Sequence, residues 1–228
     1  MKLSIVIPVF NKLNFTKACL TDLFKLPEDH EIIIVDNGST DGTYEYLQEL
    51  SSKQNFVVLP LKENVGFARG CNIGYGEASA PNVLFLNNDI RVKADFDTWT
   101  QPLLDKCKEG LVGPTMGQLD SQLQFVKESN STLTGNSYIS GWCIAASKEI
   151  WRQLDISSNN EIFSNEFFCY FEDTDLSFRA KELKIPLQIV DIPVVHFGQT
   201  SSKQLNTAIL YKNARNIFIK KWSKLLKK

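Results

Sequence analysis

The chain has 228 residues, 43% hydrophobic and 22% charged, which suits one large α/β domain and excludes wholesale disorder. The net charge of −1 hides an asymmetry: residues 192–228 hold eight Lys or Arg and no acid, and the other 191 residues hold 17 basic and 26 acidic side chains. A basic tail on an acidic body points to an anionic partner, but no nucleic-acid reading module accompanies it, so nucleic acid is not expected.

The first ninety residues alternate between buried-strand and helix patterns. Leu3–Ile7 is apolar apart from Ser4 and stops at Pro8, as a buried parallel strand does. Asn14–Leu26 has helical spacing at Phe15, Ala18, Cys19, Leu23 and Leu26, with Asn14 as its cap. Glu31–Val35 is a second strand, and Asp41–Leu50 a short helix that Asp41 can cap. Phe56–Pro60, Gly66–Gly76 and Asn82–Leu86 continue as strand, helix, strand. This rhythm predicts an α/β fold with a Rossmann-like, doubly wound, mainly parallel sheet.

Beyond Asp89 the rhythm changes. Phe96–Cys107 reads as a helix and Gly110–Pro114 as a short strand. Residues 115–137 form a polar insertion, a hairpin or a loop. Ser147–Leu154 and Asp173–Leu183 read as helices, and Leu187–Val190 and Val194–Phe197 as strands. With no repeat or linker, one domain spans 1–228: a nucleotide-binding half (1–90), an acceptor and catalytic half (91–203) and a C-terminal helix (204–228). Five cysteines without a CxxC pair suggest reduced, buried thiols and a cytoplasmic setting. The apolar opening is too short for a signal peptide, and no run approaches the ~18 apolar residues of a membrane span.

In open α/β sheets ligands bind beyond the carboxyl ends of the strands, and the polar residues concentrate there. Asp36 follows the second strand and could accept hydrogen bonds from a nucleoside or cap a loop. Gly66–Gly74 resembles a glycine-rich turn opening a helix, able to offer N–H groups to phosphate, with Arg69 as a charged donor; ordinary helix entry is the alternative. It is neither GxGxxG nor a Walker loop. Asp89 could supply oxygen to a hard cation or simply close a turn. Glu172 and Asp173 follow Phe167, Phe168, Tyr170 and Phe171. They are either helix-capping acids or a general base in an apolar pocket. His196 ends an apolar strand, as a core residue or a ligand.

Together these segments carry a resemblance. Ser4–Asn11 (SIVIPVFN), Val35–Thr43 (VDNGSTDGT), Asn64–Asn72 (NVGFARGCN) and Leu86–Asp89 (LNND) resemble family 2 glycosyltransferases of the GT-A fold. Tyr170–Leu176 (YFEDTDL), Val195–Gly198 (VHFG) and Tyr211–Asn216 are similar to the rhamnosyltransferase-like branch. The resemblance implies a smaller, mixed acceptor-side sheet beside the main one. Pro8, Phe10 and Asp36 would hold the nucleoside of a UDP- or dTDP-sugar. Asn64, Phe67, Ala68, Arg69, Asn72 and Asn88 would serve the rest of the donor. Asp89 and His196 would bind Mn²⁺ or Mg²⁺, with Asp173 as base, and Glu172 and Trp142 at the acceptor, a sugar stacking on the indole. The metal motif departs from Asp-x-Asp, because its first position is Asn87.

The implied activity is inverting transfer from a nucleotide-diphosphate sugar to a hydroxyl of a glycan or lipid-linked acceptor, as in bacterial-type cell-surface polysaccharide synthesis. One alternative is a nucleotide-sugar or glycan-binding protein with a degenerate site, kept open by Asn87. Nucleotidyl transfer is another; residues 3–12 lack its Gly-rich basic signature. In the tail, Tyr211, Ala214, Phe218, Trp222 and Leu225 share one helix face, opposite Lys220, Lys224 and Lys227. That face could rest on anionic lipid at the inner side of the cell membrane or pack on the enzyme.

Overall fold

A computed structural model describes residues 2–25, 29–93, 99–198 and 207–223. Its core is a seven-stranded sheet. Strands β1 (Leu3–Val9), β2 (His30–Asp36), β3 (Val57–Pro60) and β4 (Asn82–Leu86) are parallel. They alternate with helices α1 (Leu13–Leu23), α2 (Thr43–Ser51) and α3 (Phe67–Glu77). Both faces of β1 are covered: Leu3, Ile5, Ile7 and Val9 pack with Leu20, Leu23 and Trp99 on one side, while Val6 packs with Ile33, Phe85 and Trp151 on the other. Burial on both faces explains the unbroken apolar runs.

The second half completes the sheet. β6 (Leu111–Gly113), β10 (Cys143–Ser147) and β11 (Leu187–Ile189) extend it beyond β4, in the order β11-β6-β10-β4-β1-β2-β3. β10 runs antiparallel to β4, with Cys143 opposite Leu86. The chain therefore enters β10 beside the carboxyl end of β4, and the Asn87 N–H donates to the Trp142 carbonyl at 2.9 Å. Helix α4 (Thr100–Lys106) is shorter than the sequence pattern suggests, and the start of that pattern, at Phe96, lies outside the described residues.

Two smaller sheets flank the site. β5 (Ile90–Val92) pairs with β12 (Val194–His196), which carries His196 to Asp89. β7 (Met116–Leu119), β8 (Phe125–Ser129) and β9 (Ser137–Ile139) form a three-stranded sheet from the polar insertion, so the hairpin reading was the right one. Both are antiparallel; the mixed sheet is the main one, not the acceptor-side one.

The helix caps also differ from expectation. Asn14 does not cap α1. Asp41 does so from the neighbouring loop, Oδ2 accepting the Leu13 N–H at 3.1 Å and Oδ1 accepting the Thr43 N–H at 3.2 Å, so one carboxylate serves the entry of α1 and α2. Ser147 caps α5 (Lys148–Leu154) through the Ile150 N–H.

Helix α7 (Thr207–Trp222) packs on α6 (Glu172–Glu182) and the β7–β8 hairpin. Ala214, Phe218 and Trp222 are buried with Leu119, Leu123, Phe167, Phe171 and Phe178. The described part of the amphipathic face therefore lies against the chain itself rather than being free for lipid. Leu225, Lys224 and Lys227 lie outside the described residues. No described helix is long and apolar enough to cross a membrane.

Candidate active site

The loops after β1 to β4 and the second half enclose a cleft of about 960 Å³. Its wall includes Pro8, Phe10, Asn64, Phe67, Asn88, Asp89, Trp142, Glu172, Asp173 and His196, ten of the residues expected from sequence. Four others do not line it. Ala68 is fully buried in the core, and Arg69 is exposed on α3. Asn72 clamps a distant segment, donating to the Phe163 carbonyl at 2.7 Å and accepting its N–H at 3.0 Å. Asp36 is buried at the end of β2; burial pushes its carboxyl upward, and Oδ1 has no hydrogen-bond partner.

The glycine-rich turn is not a vacant phosphate cradle. The Val65 N–H donates to Asn37 Oδ1 (2.9 Å), the Gly66 N–H to Asn64 Oδ1 (2.9 Å) and the Phe67 N–H to the Phe168 carbonyl (2.7 Å). Gly66 is required for a different reason. Its φ is +90°, and a Cβ there would collide with the Phe168 backbone. The turn braces the segment leading into α6.

That segment delivers the acids. Tyr170 and Phe171 both adopt the left-handed conformation, with φ of 72° and 64°, a costly state for non-glycine residues that surrounding packing must hold. Phe171 is wedged against Tyr211 and Phe218 of α7, with ring centroids 5.3 and 5.2 Å away. α6 then opens with Glu172 and Asp173. Asp173 Oδ2 accepts the Gly141 N–H at 2.8 Å, and Oδ1 accepts the Thr174 N–H at 2.7 Å. Burial raises the Asp173 carboxyl above its usual range despite these bonds. Burial, then repulsion from Asp173, raises Glu172 further, and Glu172 Oε2 has no hydrogen-bond partner. Of these two adjacent carboxyls facing the cleft, Asp173, the less raised, is the one suited to taking a proton near neutral pH.

Asp175, one turn on, is fully buried and structural. It pairs with Arg179 (3.0 Å) and Lys221 (2.8 Å) and accepts the Trp222 indole N–H (2.9 Å), fastening α7 to α6.

On the opposite wall, Asp89 Oδ1 lies 3.1 Å from His196 Nε2, and Asn87 Nδ2 lies 3.3 Å from the same nitrogen. Two ligands at right angles on a hard cation, each ~2.1 Å from it, are about 3.0 Å apart. The carboxylate and imidazole are thus spaced as neighbouring ligands, and an Asn87 oxygen could join them. Among the described residues no group of three His, Cys, Asp or Glu forms a metal cage. A cation here would therefore take its remaining ligands from a bound diphosphate or water.

Trp142 reaches the cleft, but not as an open platform for a sugar. It is 8% exposed, and its ring is stacked on His196, with centroids 4.8 Å apart and planes at 11°. That indole face is not available to a sugar. Sequence reasoning missed Gly141, Thr115 and Glu128. Glu128 is the one carboxylate between Asp120 and Glu149, a signal that could have marked it. It lines the cleft from β8 and holds Trp142 Nε1 at 3.0 Å.

Comparison with known proteins decides the family. The model for "Glycosyl transferase family 2" matches residues 4–171. The chain belongs to glycosyltransferase family 2. Among curated relatives, Glycosyltransferase GlyA of Streptococcus pneumoniae serotype 4 is 28% identical over 96 residues, 42% of this chain and 14% of that protein. The cholesterol galactosyltransferase of Borreliella burgdorferi is 29% identical over 94 residues, 41% of this chain and 26% of that protein. The chain thus spans about a quarter or less of these relatives' length. The fold is shared with solved GT-A glycosyltransferases. GalNAc-T7 with UDP, GalNAc and Mn²⁺ superposes with TM-score 0.68 at 15% identity, over 88% of this chain and 44% of that one. The mannosyltransferase PcManGT of Pyrobaculum calidifontis, with GDP-Man and Mn²⁺, gives 0.62 at 14% identity, over 83% and 54%. This family 2 glycosyltransferase therefore has the α/β, GT-A architecture that its sequence implies.

Proposed function

We propose that the chain transfers a sugar from a nucleotide-diphosphate donor, UDP- or dTDP-linked, to a hydroxyl of a glycan or lipid-linked acceptor, by a single displacement that inverts the anomeric carbon. The observation that carries this reading is that Asp173, fixed by Gly141 and Thr174, shares one cleft with the Asp89–His196 pair. Asp173 takes the acceptor proton as the acceptor oxygen bonds to the anomeric carbon, and the bond from that carbon to the diphosphate oxygen breaks. The electron pair leaves with the nucleoside diphosphate. Asp89 and His196, with Asn87, would hold Mn²⁺ or Mg²⁺, which supplies charge neutralisation for the departing diphosphate. Pro8, Phe10 and Asn64, which line the cleft, would serve the donor, and Glu172 the acceptor. Arg69 and Asn72 have no part in this scheme.

Polysaccharide assembly is the setting that fits the relatives. They include a poly-beta-1,6-N-acetyl-D-glucosamine synthase of Staphylococcus aureus, 30% identical over 94 residues. The rhamnosyltransferase-like motif YFEDTDL favours a hexose or deoxyhexose donor. Membrane contact at the cytoplasmic face would rest on charge, because Ala214, Phe218 and Trp222 are buried while Lys212 and Lys220 are exposed. A screen of nucleotide sugars for Mn²⁺-dependent donor hydrolysis tests the reading. One donor should be consumed faster than the rest, and chelation should stop it. Donor binding without hydrolysis or transfer would favour the degenerate binding protein instead.

A further inference from the structure

The Asp89–His196 pair depends on an imidazole held in one plane, and β12 alone does not hold it. The Trp142 indole lies flat on it, with centroids 4.8 Å apart and planes at 11°. The indole is fixed at its far edge: Nε1–H is shared between Thr115 Oγ1 and Glu128 Oε1, each at 3.0 Å, and the Thr115 hydroxyl donates to the same Glu128 oxygen at 2.5 Å. The Trp142 carbonyl also accepts the Asn87 N–H at 2.9 Å. One residue therefore orients His196 with its side chain and Asn87 with its backbone. Glu128 belongs to the β7–β8 hairpin, whose turn is held by Arg215 of α7 through the Gln122 and Leu123 carbonyls.

We infer that Trp142, with Thr115 and Glu128 holding its indole, is the positioning residue of the metal site, aiming His196 at Asp89 from the acceptor-side hairpin. This rests on the metal reading of Asp89 and His196 given above. Partners that orient metal-binding imidazoles commonly contribute 10–100-fold to metal affinity. Phenylalanine at 142 keeps a ring against His196 but loses the N–H anchor. Alanine at 128 removes one acceptor of that anchor.

The test is titration of the purified chain with Mn²⁺ alone, read by electron paramagnetic resonance without any turnover. Trp142→Phe and Glu128→Ala should each weaken Mn²⁺ binding roughly 10-fold or more. Lys127→Ala, on the same strand, should leave it unchanged. If Glu128→Ala does not fold, Thr115→Val should weaken Mn²⁺ binding and Thr115→Ser should restore it. Wild-type affinity in folded Trp142→Phe and Glu128→Ala, or equal affinity in the two Thr115 variants, overturns the positioning role alone. A wild-type chain that binds no Mn²⁺ overturns this role together with the metal reading on which it rests.

Discussion

Gly141 and Asp173 are 32 residues apart in sequence and in direct contact: the Gly141 N–H donates to Asp173 Oδ2 at 2.8 Å, and a Cβ on residue 141 would fall 3.0 Å from that oxygen and 3.1 Å from the Asp173 Cβ. A glycine lets the backbone approach closely enough to hold the carboxylate. Gly141→Ala should push Asp173 by a few tenths of an ångström. Turnover should fall on the order of 10-fold while donor binding stays near wild type, because misplaced groups cost rate before affinity. Steady-state kcat beside calorimetric donor affinity checks this.

The pH dependence of turnover follows from burial at the head of α6. As the proposed base, Asp173 would have to be ionised to accept a proton, and burial raises its pKa. The acid limb of kcat should therefore lie above the ordinary aspartate value of about 4, with activity lost as pH falls through the raised pKa. Glu172, whose pKa is raised further, is still protonated through that limb, so Glu172→Gln should leave the limb in place. A kcat–pH profile of both proteins gives the answer.

Glu172 also makes a stability statement. Its folded-state pKa is raised, chiefly by burial. The folded chain thus holds a proton that the unfolded chain releases, and stability falls as pH rises from the unfolded pKa through the folded one. Glu172→Gln should flatten that fall, so its Tm should gain on wild type between pH 5 and pH 9. Parallel Tm–pH curves would contradict the burial argument.

Asp175 fastens α7. It is fully buried with Arg179, Lys221 and the Trp222 indole as partners. Replacing one member of a buried ionic network leaves the others uncompensated, at about 3 kcal/mol. Asp175→Asn should lower the urea midpoint accordingly. It should also reduce turnover, because α7 packs against Phe171 and its left-handed backbone.

Much of this was legible in the sequence, for identifiable reasons. β1, β2 and β4 are buried on both faces, so their apolar runs are continuous and their ends mark the cleft. β10 escaped notice because Cys-Ile-Ala-Ala-Ser has a single β-branched residue, and β5 because three residues carry no period. The glycine-rich turn was misleading. Its glycine pattern is silent about Phe168 and Asn37, the distant groups that occupy its N–H donors. Trp142 lines the cleft, but its stacking on His196 is a tertiary contact between segments far apart in sequence and could not be read from it. The amphipathic tail was legible as a helix, but its apolar face could be matched to the Phe171–Phe178 cluster only in three dimensions.

The role proposed for Asp173 is that of base in sugar transfer, at a cleft that binds the donor independently of it. The most direct measurement is Asp173→Asn, with donor affinity by calorimetry and transfer by nucleoside diphosphate release, using the donor that the nucleotide-sugar screen selects. General-base assistance is worth ~10²–10⁴-fold. Asp173→Asn should lose that much rate, with donor affinity within a few-fold of wild type. Transfer at near wild-type rate by a folded Asp173→Asn chain would contradict that role.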